Sequence, residues 1–300
     1  MAAPRQRHPL RTIAAFAVAA AVALLAAACM PAEGRYSSVQ HQTSELTTVA
    51  DQVYAQAENH AGTVVPLKLD LFLPPAGGPA TRPTVVLVHG GGFSGGNKSD
   101  MAATARTYAQ RGYVAVALGY RLDPGAGTST ERYLAAATDA IDDGLEAVRW
   151  LRSQAATYRI DPERIAVLGS SAGGAVALGT AIVNDPTPGG PLAAWSPRSN
   201  AAVSTGAHLT PGIDIGLVTF EATDSPALMF HYDTDSVTGN DAAYARRTCD
   251  GLLAAGVLCR FVQQPGSGHT TDLRAGGTWW TSEIGPFLWD QLDLVDAPSA

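Results

Sequence analysis

Gly169-Ser170-Ser171-Ala172-Gly173 stands directly after the apolar run 165–168 and leads into a stretch of small and apolar residues, 175–183. A strand, a G-x-S-x-G turn and a helix in that order raise a serine hydroxyl above the end of a parallel sheet. A turn that sharp holds its central residue in a strained backbone conformation, and side chains at the flanking glycines would collide with the neighbouring strand and helix. Five residues can match by chance. A second motif, His89-Gly90-Gly91-Gly92-Phe93, follows another apolar run, 85–88. Two such motifs, each at the end of a buried strand and in this order, imply a hydrolase with a serine nucleophile. Ser171 fits that role better than Ser170, because it lies two residues from each glycine.

The rest of the chain alternates in the way such a sheet requires. Leu67, Leu69, Leu71 and Leu73 alternate with Lys68, Asp70 and Phe72, the period of a half-buried strand, after the turn sequence Asn59-His60-Ala61-Gly62. Short apolar runs at 84–89, 114–119, 165–169, 201–205, 227–231 and 258–263 read as buried strands. Between them, 101–111, 139–153, 172–183 and 241–255 read as helices. Ile141, Leu145, Val148 and Leu151 recur at helical spacing, so one face of that helix packs on the sheet. This alternation implies an α/β fold with a parallel sheet covered on both faces. Residues 184–200, rich in Pro and Gly, read as loop and are too short for a separate lid domain.

These residues resemble the α/β-hydrolase superfamily, specifically its HGGG-type carboxylesterases and lipases. The resemblance runs from about residue 67 to 289 and includes Gly119-Tyr120-Arg121-Leu122 and Ile160-Asp161-Pro162. It implies a mostly parallel sheet of about eight strands with helices on both faces. It also implies a triad in the chain order serine, acid, histidine. Of the histidines after Ser171, only His269 lies beyond the strand 227–231 and the loop that must supply the acid. The acid is Asp235 or Asp233. Related hydrolases show a histidine, a glycine, two variable residues and then aspartate, which favours Asp235 although Tyr232 replaces the glycine. The oxyanion hole is assigned to the amides of Ala172, Gly91 and Gly92. His89 is read as holding its loop by hydrogen bonds, and Tyr120, Arg121 and Asp139 as bracing the sheet. Phe93, Trp195, Trp279 and Trp280 are candidates for the substrate pocket, with core or surface packing the favoured reading for the tryptophans.

Composition narrows the surroundings. Three hundred residues, 46% hydrophobic and 16% charged, suit one large domain, here 46–300. Residues 1–28 carry Arg5, Arg7 and Arg11 before an uncharged run of 16 residues, 13–28, shorter than a membrane span and suited to a secretory signal. Its removal takes away three positive charges and no acids, moving the net charge from −7 to −10. That acidity argues against nucleic acid and anionic membrane surfaces as partners. Cys29 after Ala26-Ala27-Ala28 resembles a bacterial lipoprotein signal, without its usual leucine three residues earlier; the alternative is plain secretion. Residues 29–45 read as a flexible spacer. Cys249 and Cys259 then remain as an even pair for an oxidising compartment, either bridged or as two buried thiols.

No His, Cys and carboxylate cluster has metal-ligand spacing, and no phosphate-cradling motif occurs, so no cofactor is expected. The reading is an exported serine esterase acting on a small ester substrate. Two alternatives stand beside it: an amide or peptide hydrolase of the same fold, and a catalytically silent binding module.

Overall fold

Alternating apolar residues build the first two strands, β1 (Thr47–Glu58) and β2 (Val64–Leu73), which pair antiparallel. The Asn59 side chain closes their hairpin by accepting N–H bonds from Ala61 and Thr63. Leu67, Leu69 and Leu71 are buried on one face, as the alternation predicts. The other face is not solvated throughout: Phe72 is buried too, because a helix covers it, and Asp70 is sunk beneath the Lys98 ammonium at 2.7 Å. The strand is therefore half-buried only in its first half.

The structure, a computed structural model, describes residues 36–183, 191–209 and 218–294. Residues 1–28 and Cys29 lie outside the described residues. Six further strands follow: β3 (Arg82–Val88), β4 (Val114–Leu118), β5 (Ile160–Ser170), β6 (Ala201–Thr205), β7 (Ala227–Asp235) and β8 (Cys259–Gly268). The sheet order is β1-β2-β4-β3-β5-β6-β7-β8, with β3 to β8 mutually parallel. Odd and even residues of each strand face opposite layers. Val86, Val88, Val116 and Val167 face α2 (Thr130–Ser153), α3 (Ala172–Ile182) and α4 (Ala242–Ala254). Val85, Leu87, Ala115 and Leu168 face α1 (Ala102–Ala109) and the C-terminal α5 (Gly285–Gln291). This is the α/β-hydrolase arrangement.

Three differences from the sequence reading have physical causes. Helix α2 begins nine residues earlier than 139, because Ser129 caps it through Arg132 N–H and Arg132 pairs with Asp123. Helix α5, not foreseen, joins Trp280, for which packing is the favoured reading, in filling the second core, where Trp280, Ile284 and Phe287 are buried. Residues 36–45, read as spacer, lie against the body: Tyr36 is buried against Tyr113 at 4.9 Å, and the Ser37 carbonyl accepts from Trp280 Nε1. Residues 191–200 contain no helix or strand, in keeping with a loop, and 184–190 lie outside the described residues.

Cys249 in α4 and Cys259, the first residue of β8, form a disulfide across the intervening turn. Closing so short a loop removes denatured-state entropy equivalent to about 2.7 kcal/mol. Replacing both cysteines by serine is expected to lower the unfolding free energy by roughly 2–3 kcal/mol, measured by chemical denaturation. An unchanged midpoint and slope would show that the bridge adds nothing to stability.

Candidate active site

Strand β5 ends at Ser170, and the chain reverses at Ser171 with φ 55° and ψ −124°. That conformation is rare for a residue with a Cβ. It survives because its flanks carry none: a Cβ on Gly169 would lie 1.9 Å from the Gly173 carbonyl oxygen, and one on Gly173 2.3 Å from that of Val88. The Ser171 N–H donates to the Thr205 carbonyl at 2.8 Å, and its own carbonyl accepts from Gly174 and Ala175, starting α3. With its backbone committed, the residue presents its hydroxyl to the end of the sheet.

His269 follows β8, and Asp235 ends β7, the neighbouring strand. Ser171 Oγ lies 2.8 Å from His269 Nε2, and His269 Nδ1 lies 2.7 Å from Asp235 Oδ2. The other Asp235 oxygen, Oδ1, accepts from the Val237 and Thr238 N–H groups, both at 2.8 Å. Burial pushes the Asp235 carboxyl up. The Thr238 N–H, the His269 imidazole and the Val237 N–H more than offset it, and the pKa lies below the ordinary aspartate value. The carboxylate is thus charged at neutral pH and holds His269 with Nδ1–H toward it, leaving Nε2 to accept the serine proton.

Asp233 takes no part in this chain. It is exposed, and its carboxylate accepts from Gln263 Nε2 at 2.6 Å and Gly266 N–H at 2.9 Å, which hold its pKa down. In a regular strand two aspartates two residues apart would share a face. The β7–β8 register shifts between Tyr232 and Thr234, and the irregularity sends Asp233 outward and Asp235 inward.

Gly90 lies against the elbow: a Cβ there would come within 3.1 Å of Ser171 Cβ. Gly91 and Gly92 follow with φ of 119° and 58°, exposed between Gly90 and Phe93, which lines the cleft together with Ala172. Ser94 and Gly95 N–H groups close the loop on the Gly91 carbonyl. His89 is buried beneath it, stacked on Tyr120 at 4.4 Å, with Nδ1 2.7 Å from the Gly90 carbonyl; burial lowers its pKa. Arg121 binds Asp143 through both its backbone N–H and its guanidinium, making Asp143 the main brace and Asp139 the lesser one at 3.4 Å.

The cleft beside Ser171 has a volume of about 340 Å³. Phe93, Leu134, Ala137 and Ala175 supply apolar lining, and His208, Thr238 and Asn240 polar lining. Tyr133, Leu134 and Ala137 were missed with the early start of α2; the signal for them was Ser129 followed by Leu134, Ala137 and Ile141 at helical spacing. The three tryptophans are elsewhere. Trp195 is on the surface, Trp279 packs on Phe230, and Trp280 is in the core. His231, buried beside Asp235 with Nε2 3.8 Å from Oδ2, also lines the cleft and was not anticipated.

Among the described residues no His, Cys and carboxylate group could hold a metal ion, and no helix is long and apolar enough to cross a membrane. Serine, imidazole and carboxylate in this chain can activate a hydroxyl for attack on a carbonyl carbon.

Comparison with known proteins agrees with that chemistry. The BD-FAE family model matches residues 69–195. An ethyl acetate hydrolase of Pseudomonas putida is 29% identical over 240 residues, 68% of this chain and 70% of its own length. A carboxylesterase, NlhH, of Mycobacterium tuberculosis is 30% identical over 222 residues, covering 62% of this chain and 66% of its own. Among solved structures, butyrate-bound esterase Est2 of Thermogutta terrifontis superposes with a TM-score of 0.62 at 24% identity, covering 87% of this chain and 95% of that one. A truncated carbohydrate esterase from gut microbiota gives 0.61 at 20% identity, covering 88% and 99%.

The two aspartates make a direct test. Asp235→Asn is expected to lower kcat by about 10³- to 10⁴-fold through loss of the oriented imidazole, with Asp233→Asn within severalfold of the unaltered protein. Equal large losses at both positions would remove the distinction.

Proposed function

We propose, for a chain that belongs to the carboxylesterases of the α/β-hydrolase superfamily, that Ser171, His269 and Asp235 hydrolyse short-chain esters through an acyl-enzyme. The observation that carries this reading is the continuous contact from Ser171 Oγ through His269 to Asp235. As Ser171 Oγ attacks the ester carbonyl carbon, His269 Nε2 takes its proton. Negative charge develops on the carbonyl oxygen, where the amides of Ala172, Gly91 and Gly92 are assigned to receive it. Collapse of the tetrahedral intermediate breaks the bond to the alcohol oxygen, and His269 returns the proton to that oxygen. Water then repeats the attack on the acyl-enzyme with His269 as base, releasing the carboxylic acid and restoring Ser171.

Short acyl groups suit the cleft. Its volume lies at the low end of ligand pockets, which run from about 300 to 1,000 Å³. The names of the relatives point the same way: one hydrolyses ethyl acetate, and a structural neighbour holds butyrate. Ser171→Ala is expected to reduce hydrolysis of a chromogenic acetate or butyrate ester by several orders of magnitude, and Ser170→Ala to retain most of it. Across an acyl-length series the rate is expected to fall beyond short chains, without a jump above the solubility limit. A dead Ser170→Ala variant, or a preference for emulsified long-chain triglyceride, would overturn the reading.

The proposal includes export. Its support is the basic and apolar leader before Cys29, together with the Cys249–Cys259 bridge, a bond that persists in oxidising compartments. Lipidation of Cys29 predicts that the protein partitions with membranes and detergent and that Cys29→Ser releases it or changes its processing. Mature protein without lipid mass at its N-terminus would leave export standing without the anchor.

A further inference from the structure

His269 sits on a segment, 269–279, with no helix or strand of its own. A base on such a segment keeps its distance from the nucleophile only if the chain around it is tied to the same body as the serine. Two ties fix it to the opposite layer: Tyr108 OH donates to the Leu273 carbonyl at 2.7 Å, and Ala275 N–H to Thr107 Oγ1 at 3.0 Å. A third bond, Trp279 Nε1 to Thr271 Oγ1 at 2.7 Å, closes the segment on itself. None of these reaches Ser171. Thr205, the last residue of β6 and fully buried, does. Its carbonyl accepts the Ser171 N–H at 2.8 Å, and its side-chain Oγ1 accepts the Thr271 N–H at 2.8 Å. The next residue, Gly206 at φ 67°, lies under the His269 carbonyl, which a Cβ there would approach to 2.3 Å.

One residue thus holds the nucleophile's backbone with its main chain and the base's segment with its side chain. The two contacts are chemically separable. Any residue at 205 offers a carbonyl to Ser171, whereas only a side chain with a placed oxygen accepts from Thr271. We propose that Thr205 is a positioning residue: its hydroxyl fixes the Ser171–His269 separation, a role that rests on the catalytic reading above. Without that oxygen the Thr271 N–H must find another acceptor, and the segment carrying His269 moves with it. Small displacements of a catalytic group cost rate steeply, with about 100-fold for a 1 Å shift.

Thr205→Val keeps the shape and removes the acceptor; Thr205→Ser keeps the acceptor. With a short-chain chromogenic ester, Thr205→Val is expected to lower kcat by about 10- to 100-fold with KM within about twofold. Thr205→Ser is expected to restore most of kcat. Should the valine variant not fold, Thr205→Cys, a weak acceptor of similar size, is expected to show a kcat clearly below that of Thr205→Ser. A kcat in Thr205→Val or Thr205→Cys equal to that of the unaltered protein would overturn the proposal. So would a serine variant as impaired as the valine one, or a loss confined to KM. Ser171→Ala measured alongside separates the two readings: if it stays active the triad itself is wrong, and if it is dead while Thr205→Val is normal only the positioning role fails.

Discussion

The site depends on Ser171 being held at a positive φ by neighbours that have no side chain. A residue in such a conformation carries strain of about 1–3 kcal/mol, and it persists only where the surroundings leave no alternative. Here they leave none. Gly169 and Gly173 approach backbone oxygens so closely that a single added carbon would overlap them, and the Ser171 N–H and carbonyl are both engaged. A serine in relaxed backbone would turn its hydroxyl into the crowd of β5 and α3. The strain points it out of the sheet instead, where a base can reach it.

The base and acid reach it because of the direction of the strands. Strands β3 to β8 run parallel, so the segments leaving β3, β5, β6, β7 and β8 all emerge at one edge. Gly90, Ser171, Thr205, Asp235 and His269 belong to those five segments in turn. His269 is 98 residues from Ser171 in the chain and 34 from Asp235, yet both contacts are hydrogen bonds of ordinary length. Burial alone would favour a neutral Asp235. Two backbone N–H groups on Oδ1 offset that penalty and leave Oδ2 for the imidazole, so the loop after β7 does as much for the acid as the strand does.

What the sequence makes legible follows from which features are local. Elbow and HGGG loop need glycine at fixed offsets, and buried strands need continuous apolar runs; each can be read within ten residues. The core strands, the α/β class and Ser171 were accordingly readable, whereas His269 came from the chain order that the family resemblance implies. The choice between Asp233 and Asp235 was not a local matter, since it turns on a register shift against β8 that strand periodicity does not reveal. Thr205 carried no motif at all, because its two roles appear only when β6 lies beside β5 and under the His269 segment. Tyr36 and α5 were missed for the same reason: their apolar residues are too few to show a period, and what orders them is the Trp280 core.

The start of α2 was misread for a different reason, and it matters for selectivity. From 130 to 138 the helix shows few large apolar residues, and its position is set by the Ser129 cap and by Arg132 on Asp123. Arg132 holds the Asp123 carboxyl down to about 2, so that pair stays charged throughout the neutral range. The same turn carries Tyr133, Leu134 and Ala137 into the cleft, and Asp123 N–H donates to the carbonyl of Phe93, the facing part of the wall. Phe93 and the α2 side of the lining therefore both hang on one residue, Asp123, the first through its backbone N–H and the second through its carboxylate. Bond-making chemistry is fixed by strand ends and glycines, whereas the room for an acyl chain is fixed by where a helix begins.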